Sequence, residues 1–306
     1  MVNSISNPKL TFSGHESFQC RQVWLKKGYD FLKSNDSFQA DDAVFKLGVG
    51  KNMVSSINFW MKALNLIDEQ SHELTALAHF LFDEKGADPY LEDVGSIWLL
   101  HYFLVKTNYS SIYSLVFNEL RKERSVFSKK HLSAFIKRKF MENQNTNYNQ
   151  NTIEKDISVF LRLYKRVDYQ TVVKDFEDEF SSLMIELELI SSTIDEEIKE
   201  GTNKKEKVEW YYLNGENRPN LPIAILLFSI LDVFEGDQNI SLKRLEIESD
   251  SPGMIYLLNK DGLYTKLKEI ESSSPGITLS ETAGNIVLVL PDEIDKWKIL
   301  KDYYAN

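Results

Sequence analysis

Four reactive side-chain types stand close together in the stretch FSGHESFQCRQVWLKKGYDF, residues 12–31, and they are His15, Glu16, Cys20 and Arg21. His and Glu can bind a metal ion or transfer protons, but no second His follows at the spacing of a helical His-Glu-x-x-His zinc site. Cys20 is the only cysteine, which excludes an internal disulfide and a cysteine-based zinc site. The alternative interpretation is a loop leading into a buried helix, with Arg21 reaching a phosphate or an internal carboxylate.

A second group of carboxylates lies in the stretch DPYLED, residues 88–93. A metal-dependent nuclease needs two or more carboxylates, often with a His, around one or two divalent ions. One hypothesis is therefore a site for Mg²⁺ or Mn²⁺ built from some of five candidate catalytic residues, His15, Glu16, Asp88, Glu92 and Asp93. Because such a stretch is more commonly a turn and a helix cap, the interpretation without catalysis stays open, and the metal ligands are unknown.

The stretch DDAVFKLGVGKNMVSSINFWMKALNLI, residues 41–67, has the pattern of a helix-turn-helix. Such a motif needs a tight turn with a Gly at its ninth position and small or apolar residues where the helices touch. Counted from Ala40, the ninth position is Gly48, and the contact positions carry Ala43, Leu47, Val49, Val54 and Ile57. Val44 departs from the pattern, since a smaller residue is usual there. The second helix then presents four candidate DNA contacts, Lys51, Asn52, Ser55 and Ser56.

Charge is distributed unevenly along the chain of 306 residues, whose net charge is −10. Twelve Lys and Arg face four Asp and Glu between residues 121 and 166, whereas eleven acids face four Lys within residues 171–206. We expect the basic block to contact DNA phosphates through Lys129, Lys130, Lys137, Arg138 and Lys139, with Arg21 as a further candidate. The alternatives are a solvated helix face, or docking of this block against the acidic segment.

Periodicity predicts a mainly α protein with short β-hairpin wings, built from several winged-helix or helix-turn-helix-like units. We divide the chain into an N-terminal winged-helix domain (1–110), a middle helical domain with the basic block and the acidic segment (111–210), and a C-terminal winged-helix-like domain (211–306). Residues 66–75 are expected to form two short strands, 193–209 a linker or hairpin tip, and 277–290 a hairpin. No apolar run reaches the ~18 residues of a membrane span, and without a signal-peptide pattern we expect a cytoplasmic protein with no membrane partner.

The stretches FSGHESFQCRQVWLKKGYDF, DDAVFKLGVGKNMVSSINFWMKAL, DPYLEDVGSIWLLHYFL and SPGMIYLLN together resemble a bacterial family of unknown function that spans nearly the whole chain. Genes of that family lie beside PAPS-reductase-like and ATPase genes in phage-defence islands. The family resembles the DNA-nicking subunit of the single-strand DNA phosphorothioation (Ssp) system. This resemblance implies a double-stranded DNA partner, sulfur-transfer and ATPase subunits as further partners, and DNA nicking that allows sulfur incorporation. It identifies no catalytic residue.

Three hypotheses follow from the sequence. The first is a DNA-binding component of a phosphorothioation-type modification and anti-phage defence system, and the second is a chain that nicks DNA itself with a divalent ion. The third is a non-enzymatic adaptor whose segment 171–206 recruits a sulfur-transfer or ATPase partner.

Overall fold

The computed structural model describes residues 10–143, 148–165, 182–198, 205–282 and 284–305. Within these ranges the protein is mainly α-helical, with two small antiparallel sheets of three strands each. None of the described helices is long and apolar enough to cross a membrane. The prediction of a mainly α protein with short hairpins is confirmed.

The first part of the chain is helical throughout. Its helices are α1 (Gln22–Lys33), α2 (Ala43–Leu47), α3 (Lys51–Ala63), α4 (Ala76–Phe82) and α5 (Val94–Lys106). The loop at 12–21 leads into α1, which buries Trp24, Leu25 and Tyr29 on one face. The two strands predicted within 66–75 are reduced to a single bridge between Ile67 and Leu74. The reason is local, because the Asp68 carboxylate accepts the N–H groups of the next residues and tightens the turn.

The second part combines helices with the longer of the two sheets. Its elements are α6 (Ser111–Ser114), a π-helical turn (Leu115–Leu120), α7 (Arg121–Glu123), β1 (Val126–Ser128), α8 (Lys129–Glu142), α9 (Gln150–Tyr164), a 3₁₀ turn (Ile185–Leu187), β2 (Ile190–Ile198) and β3 (Lys205–Leu213). Ser128 caps α8, and its reciprocal partner is the His131 side chain. Strand order in the sheet is β1-β3-β2, with Val126 opposite Tyr212 and Ile190 opposite Leu213.

The third part repeats this strand order. Its elements are α10 (Ile223–Val233), β4 (Asn239–Ser241), α11 (Leu242–Ile247), α12 (Pro252–Ile255), α13 (Lys260–Ser273), β5 (Thr278–Thr282), β6 (Asn285–Val289) and α14 (Lys296–Tyr304). The sheet has the order β4-β6-β5, with Asn239 and Thr278 on either side of Val289. The hairpin predicted at 277–290 is confirmed. The second and third parts therefore share one topology: a strand, a set of helices, and a hairpin whose second strand pairs with the first strand.

One apolar core runs through all three parts of the described chain, from Leu10 to Leu300. Helix α5 lies at its centre and is buried on every side between Gly95 and Val105. A smaller cluster of Phe31, Ala43, Leu47 and Val54 joins α1, α2 and α3. The boundaries predicted at 110 and 210 therefore separate units that pack on a common core, and as domain boundaries they remain predictions.

Candidate nucleic-acid interface

Helices α2 and α3 are joined by a glycine turn as the sequence motif requires. Gly48 has a φ of 62°, in the left-handed region that Gly adopts at little cost, and it ends α2. Ala43, Leu47 and Val54 are buried where the two helices meet, and Ile57 reaches the main core. Val44, the position that departs from the pattern, is half-buried against the same small cluster. The predicted contact positions therefore hold the two helices together.

The outward face of α3 carries three of the four side chains predicted to contact DNA. Lys51, Asn52 and Ser55 are exposed, and α3 contains no acidic residue. Ser56 is a correction, because its side chain is fully buried and cannot reach a ligand outside the protein. One residue further along an α-helix turns the side chain by about 100°, which moves it from the outward face to the core.

His15 and Glu16, adjacent in sequence, are separated in their roles. His15 is buried, and its Nε2–H donates to Asp156 Oδ1 at 3.0 Å while its Nδ1 accepts from the Ser17 N–H at 3.1 Å. The second Asp156 oxygen accepts from the Ser13 N–H at 2.9 Å. Glu16 is exposed. Both nitrogens of His15 therefore form hydrogen bonds within the protein, and the His15–Asp156 pair fastens the loop to α9. His15 and Glu16 do not act together as two metal ligands.

The loop that contains His15 has an unusual backbone. Ser13, Gly14, Glu16 and Ser17 all have positive φ values, of 77°, 101°, 49° and 68°. A Cβ at Gly14 would lie 2.7 Å from Phe59 Cδ2, so the chain passes directly over α3 at this point. Strained backbone of this kind persists only where the surrounding contacts hold it.

Arg21, predicted to contact DNA, is half-buried at the start of α1. Its guanidinium lies 5.2 Å above the Trp24 ring, and its backbone forms a bridge with Ser182. Its DNA contact remains a prediction.

The stretch DPYLED forms the turn before α5. Asp88 is buried and accepts three hydrogen bonds: from the Glu92 N–H at 2.9 Å, the Asp93 N–H at 3.0 Å and the Ser96 hydroxyl at 2.6 Å. Asp93 caps α5 through the Gly95 N–H at 2.6 Å and accepts from the Tyr303 hydroxyl at 2.8 Å. Burial, and then the hydrogen bond to Asp93, raise the pKa of Tyr303. Asp93 therefore fastens α14 to α5, Asp88 holds the turn before α5, and Glu92 is the exposed one of the three acids.

The five candidate catalytic residues do not form a metal centre in the part of the chain that the structure describes. No group of three or more His, Cys, Asp or Glu side chains there is placed to hold a metal ion. His15 and Asp88 already use their nitrogens and oxygens in buried hydrogen bonds. Mg²⁺ or Mn²⁺ binding remains a prediction without assigned ligands, and we assign no metal-dependent step to these residues.

Five cations of the basic block lie on α8. Lys129, Lys130, Lys137 and Arg138 are exposed, and Lys139 is partly buried. These positions agree with a surface role, since none of the five side chains is fully buried.

Acidic residues compensate part of this charge. Arg138 pairs with Glu123 and, at 3.4 Å, with Glu142; Lys139 pairs with Glu119 at 2.7 Å. Lys130 reaches Glu206 at 2.8 Å, from the acidic segment, and remains 79% exposed. Such exposed pairs contribute only about 0–1 kcal/mol each, so a phosphate can replace the carboxylate. The Lys130–Glu206 ion pair joins the basic block to the acidic segment, and the Ser182 hydroxyl of that segment donates to the Arg162 and Leu163 carbonyls. Arg166 lies outside the described residues.

The stretch SPGMIYLLN is the junction of the three parts. Burial lowers the pKa of His101, on α5, to about 3, so its imidazole is neutral. Its Nε2–H donates to Ile255 O at 2.9 Å, and its Nδ1 accepts from the Tyr164 hydroxyl of α9 at 2.8 Å. Arg121 donates to the carbonyls of Gly253, Met254 and Leu258.

Arg218 is buried, and its Nε–H donates to the Tyr256 carbonyl at 3.1 Å. Burial also lowers the pKa of Arg121, to about 10. These two roles could not be predicted, because neither Arg belongs to a sequence motif and the carbonyls of residues 253–258 that they bind are distant in sequence.

Comparison with known proteins agrees with this architecture. Residues 12–304 match the family described as "Protein of unknown function (DUF4007)". A magnesium ion-bound SspB crystal structure is 28% identical with a TM-score of 0.79, and a further SspB crystal structure is 27% identical with a TM-score of 0.77. Both similarities cover 97% of this chain and 88% of the SspB chain. No curated protein matches the chain. Since the family model spans nearly the whole sequence, the chain belongs to the DUF4007 family.

Proposed function

We propose that this protein is the DNA-binding component of an Ssp-type DNA phosphorothioation and anti-phage defence system. The similarity to SspB over almost the full chain supports the system, and the outward face of α3 supports the DNA partner. That face follows a left-handed glycine turn and carries Lys51, Asn52 and Ser55 with no acid. Among the described features, this one carries the proposal.

We interpret the three parts as winged-helix units. The second and third have the strand order expected of such a unit, in which the hairpin is the wing and the helix before it is the recognition helix. In the first unit α3 has that place and the turn at Ile67–Leu74 replaces the wing. In a helix-turn-helix protein the second helix enters the major groove, where Asn, Ser and Lys can contact base edges and phosphates.

A titration of labelled double-stranded DNA tests the proposal. Replacing Lys51 and Asn52 by Ala should weaken binding, whereas replacing exposed Lys301 of α14 should not. Lys129 and Lys137 are the next candidates for phosphate contacts, since they form no ion pair among the described residues. Lys137 instead lies 6.0 Å over the Tyr148 ring.

We further propose that the protein nicks the DNA that it binds, as the resemblance to the Ssp nicking subunit implies. Incubation of supercoiled plasmid with the protein and Mg²⁺ or Mn²⁺, with and without chelator, tests it. Open circles that form only with the ion support nicking, and plasmid that stays supercoiled under all conditions contradicts it. We name no catalytic residue among the five candidates. His15, Asp88 and Asp93 form hydrogen bonds that hold the fold together, and Glu16 and Glu92 lie apart on the surface.

A second candidate function, the non-enzymatic adaptor, is favoured by the β2–β3 hairpin. Ile194 and Ile198 are 59% and 71% exposed on one face of β2, an edge strand whose outer backbone faces no described strand. Exposed apolar side chains on an edge strand are typical of a protein-binding surface. If a sulfur-transfer or ATPase subunit docks there, changing both Ile to Ser should abolish co-purification with that subunit while DNA binding persists.

A further inference from the structure

Helices α3 and α9 lie on two sides of one exposed loop, residues 13–17. On one side Gly14 passes over Phe59 of α3, and the His15 and Phe59 rings are 5.6 Å apart and perpendicular. On the other side Asp156 of α9 binds both His15 and the Ser13 N–H. The loop therefore joins α3 and α9, the recognition helices of the first and second units, while Glu16 and Ser17 stay exposed between them.

The outward stripe of α9 is polar and basic. Its members follow one another at four, three and four residues, and they are Asn151, Lys155, Ser158 and Arg162. No acid belongs to this stripe; Glu154 lies beside it and accepts a hydrogen bond from Gln150. Arg162 donates to Ser17 O at 2.6 Å, so the stripe continues into the exposed loop.

The outward stripe of α3 continues into the same loop. Asn52, Ser55 and Phe59 lie three and four residues apart and so share one face of the helix. Since the loop covers Phe59, its exposed residues extend the face that Asn52 and Ser55 begin. The three elements thus form one surface whose cations are Lys51, Lys155 and Arg162 and whose acids are Glu16 and Glu154.

We infer that α3, the loop 13–17 and α9 form a composite surface that contacts the phosphates of a single DNA duplex across two units. The inference rests on the proposed DNA-binding function and adds Lys155 and Arg162, which lie outside the α8 face. The surface carries three cations against two acids, and the buried His15–Asp156 pair fixes the loop in the left-handed conformation that joins the two helices. A partner contacting α3 alone would leave the stripe of α9 without a role.

The test is the salt dependence of DNA affinity, measured by fluorescence anisotropy with a short labelled duplex. Replacing a lysine that contacts a phosphate lowers the slope of log affinity against log salt by about one, which corresponds to about tenfold weaker binding at ~0.1 M salt. We expect this change for Lys155→Ala and none for Lys243→Ala, an exposed lysine of α11 that is the matched control. Ser158→Glu, a change at a half-buried position of the stripe, should weaken binding as well, because it adds a negative charge beside Lys155.

The outcomes separate the inference from the proposed function. If the wild-type protein does not bind the duplex at low salt, the proposed DNA-binding function fails. If it binds and both Lys155→Ala and Ser158→Glu behave like Lys243→Ala, the composite surface is wrong while DNA binding stands. Combining Lys51→Ala with Lys155→Ala should lower the slope by about two at one duplex per chain. Two duplexes bound per chain would overturn the assignment of both helices to one duplex.

Discussion

Asp156 and His15 are 141 residues apart in sequence, yet Asp156 Oδ1 lies 3.0 Å from His15 Nε2 in the interior of the protein. This pair explains why the stretch at residues 12–31, which has the side chains of a catalytic cluster, plays a structural role. His15 positions the loop 13–17 by its hydrogen bond to Asp156, a carboxylate of the second unit.

Replacing Asp156 by Ala should lower the free energy of unfolding by about 1–3 kcal/mol for each buried donor that it leaves unpaired. The Ser13 N–H and the His15 imidazole would both lose their partner. Urea unfolding measures the effect, with Glu154→Ala as the control, because Glu154 is an exposed acid on the same helix. Equal stability of the two variants would contradict the assigned role of the pair.

The packing of the loop 13–17 on α3 can be tested by replacing Gly14, with Gly48 of the α2–α3 turn as the comparison. Gly48 has open space around its Cβ position, so Gly48→Ala should cost about 1 kcal/mol, the strain of a left-handed residue. Gly14→Ala adds a contact with the Phe59 ring and should cost roughly 2–4 kcal/mol. Thermal or urea unfolding of both variants gives the comparison. A Gly14 variant no less stable than the Gly48 variant would argue against close packing of the loop on α3.

His101 should make folding stability depend on pH. Its pKa is about 3 in the folded protein, against about 6.5 in an unfolded chain. Between these values the unfolded state binds more protons, so this contribution is complete above pH ~6.5 and falls by up to about 1.4 kcal/mol per unit as the pH decreases. Urea unfolding from pH 7 to pH 4 measures it, with His101→Gln as the variant that keeps a donor and an acceptor but does not titrate. Parallel pH profiles for the two proteins would count against a buried neutral His101.

Asp88 distinguishes a structural carboxylate from a catalytic one. Asp88→Ala leaves the Glu92 and Asp93 N–H groups without their acceptor and should cost about 2–3 kcal/mol of stability. Exposed Glu92→Ala should cost less than about 0.5 kcal/mol. If the Asp88 variant instead unfolded at the wild-type urea concentration and lost only plasmid nicking, the structural role would be wrong.

Local patterns in the sequence were sufficient for the elements that obey them. The Gly48 turn between α2 and α3 and the hairpin at 277–290 are both determined by neighbours within a few residues. The β2–β3 hairpin was expected only as a linker or hairpin tip, because most of β2 is exposed on both faces and lacks an alternating apolar pattern.

The remaining differences come from partners distant in sequence. His15 and Asp93 were candidates for catalysis because their partners, Asp156 and Tyr303, lie more than a hundred residues away. Ser56 was assigned to the DNA face because the predicted face was one residue too wide. The prediction that α8 contacts phosphates did not include the carboxylates of Glu119, Glu123 and Glu206, which pair with its cations from other elements.

The most direct test of the central claim is the affinity of the wild-type protein and of Lys51→Ala for double-stranded DNA over a series of salt concentrations. We expect binding at low salt that weakens steeply as salt rises, and a salt slope that is less steep by about one in the variant. Absence of binding at low salt, or an affinity that does not change with salt, would contradict it.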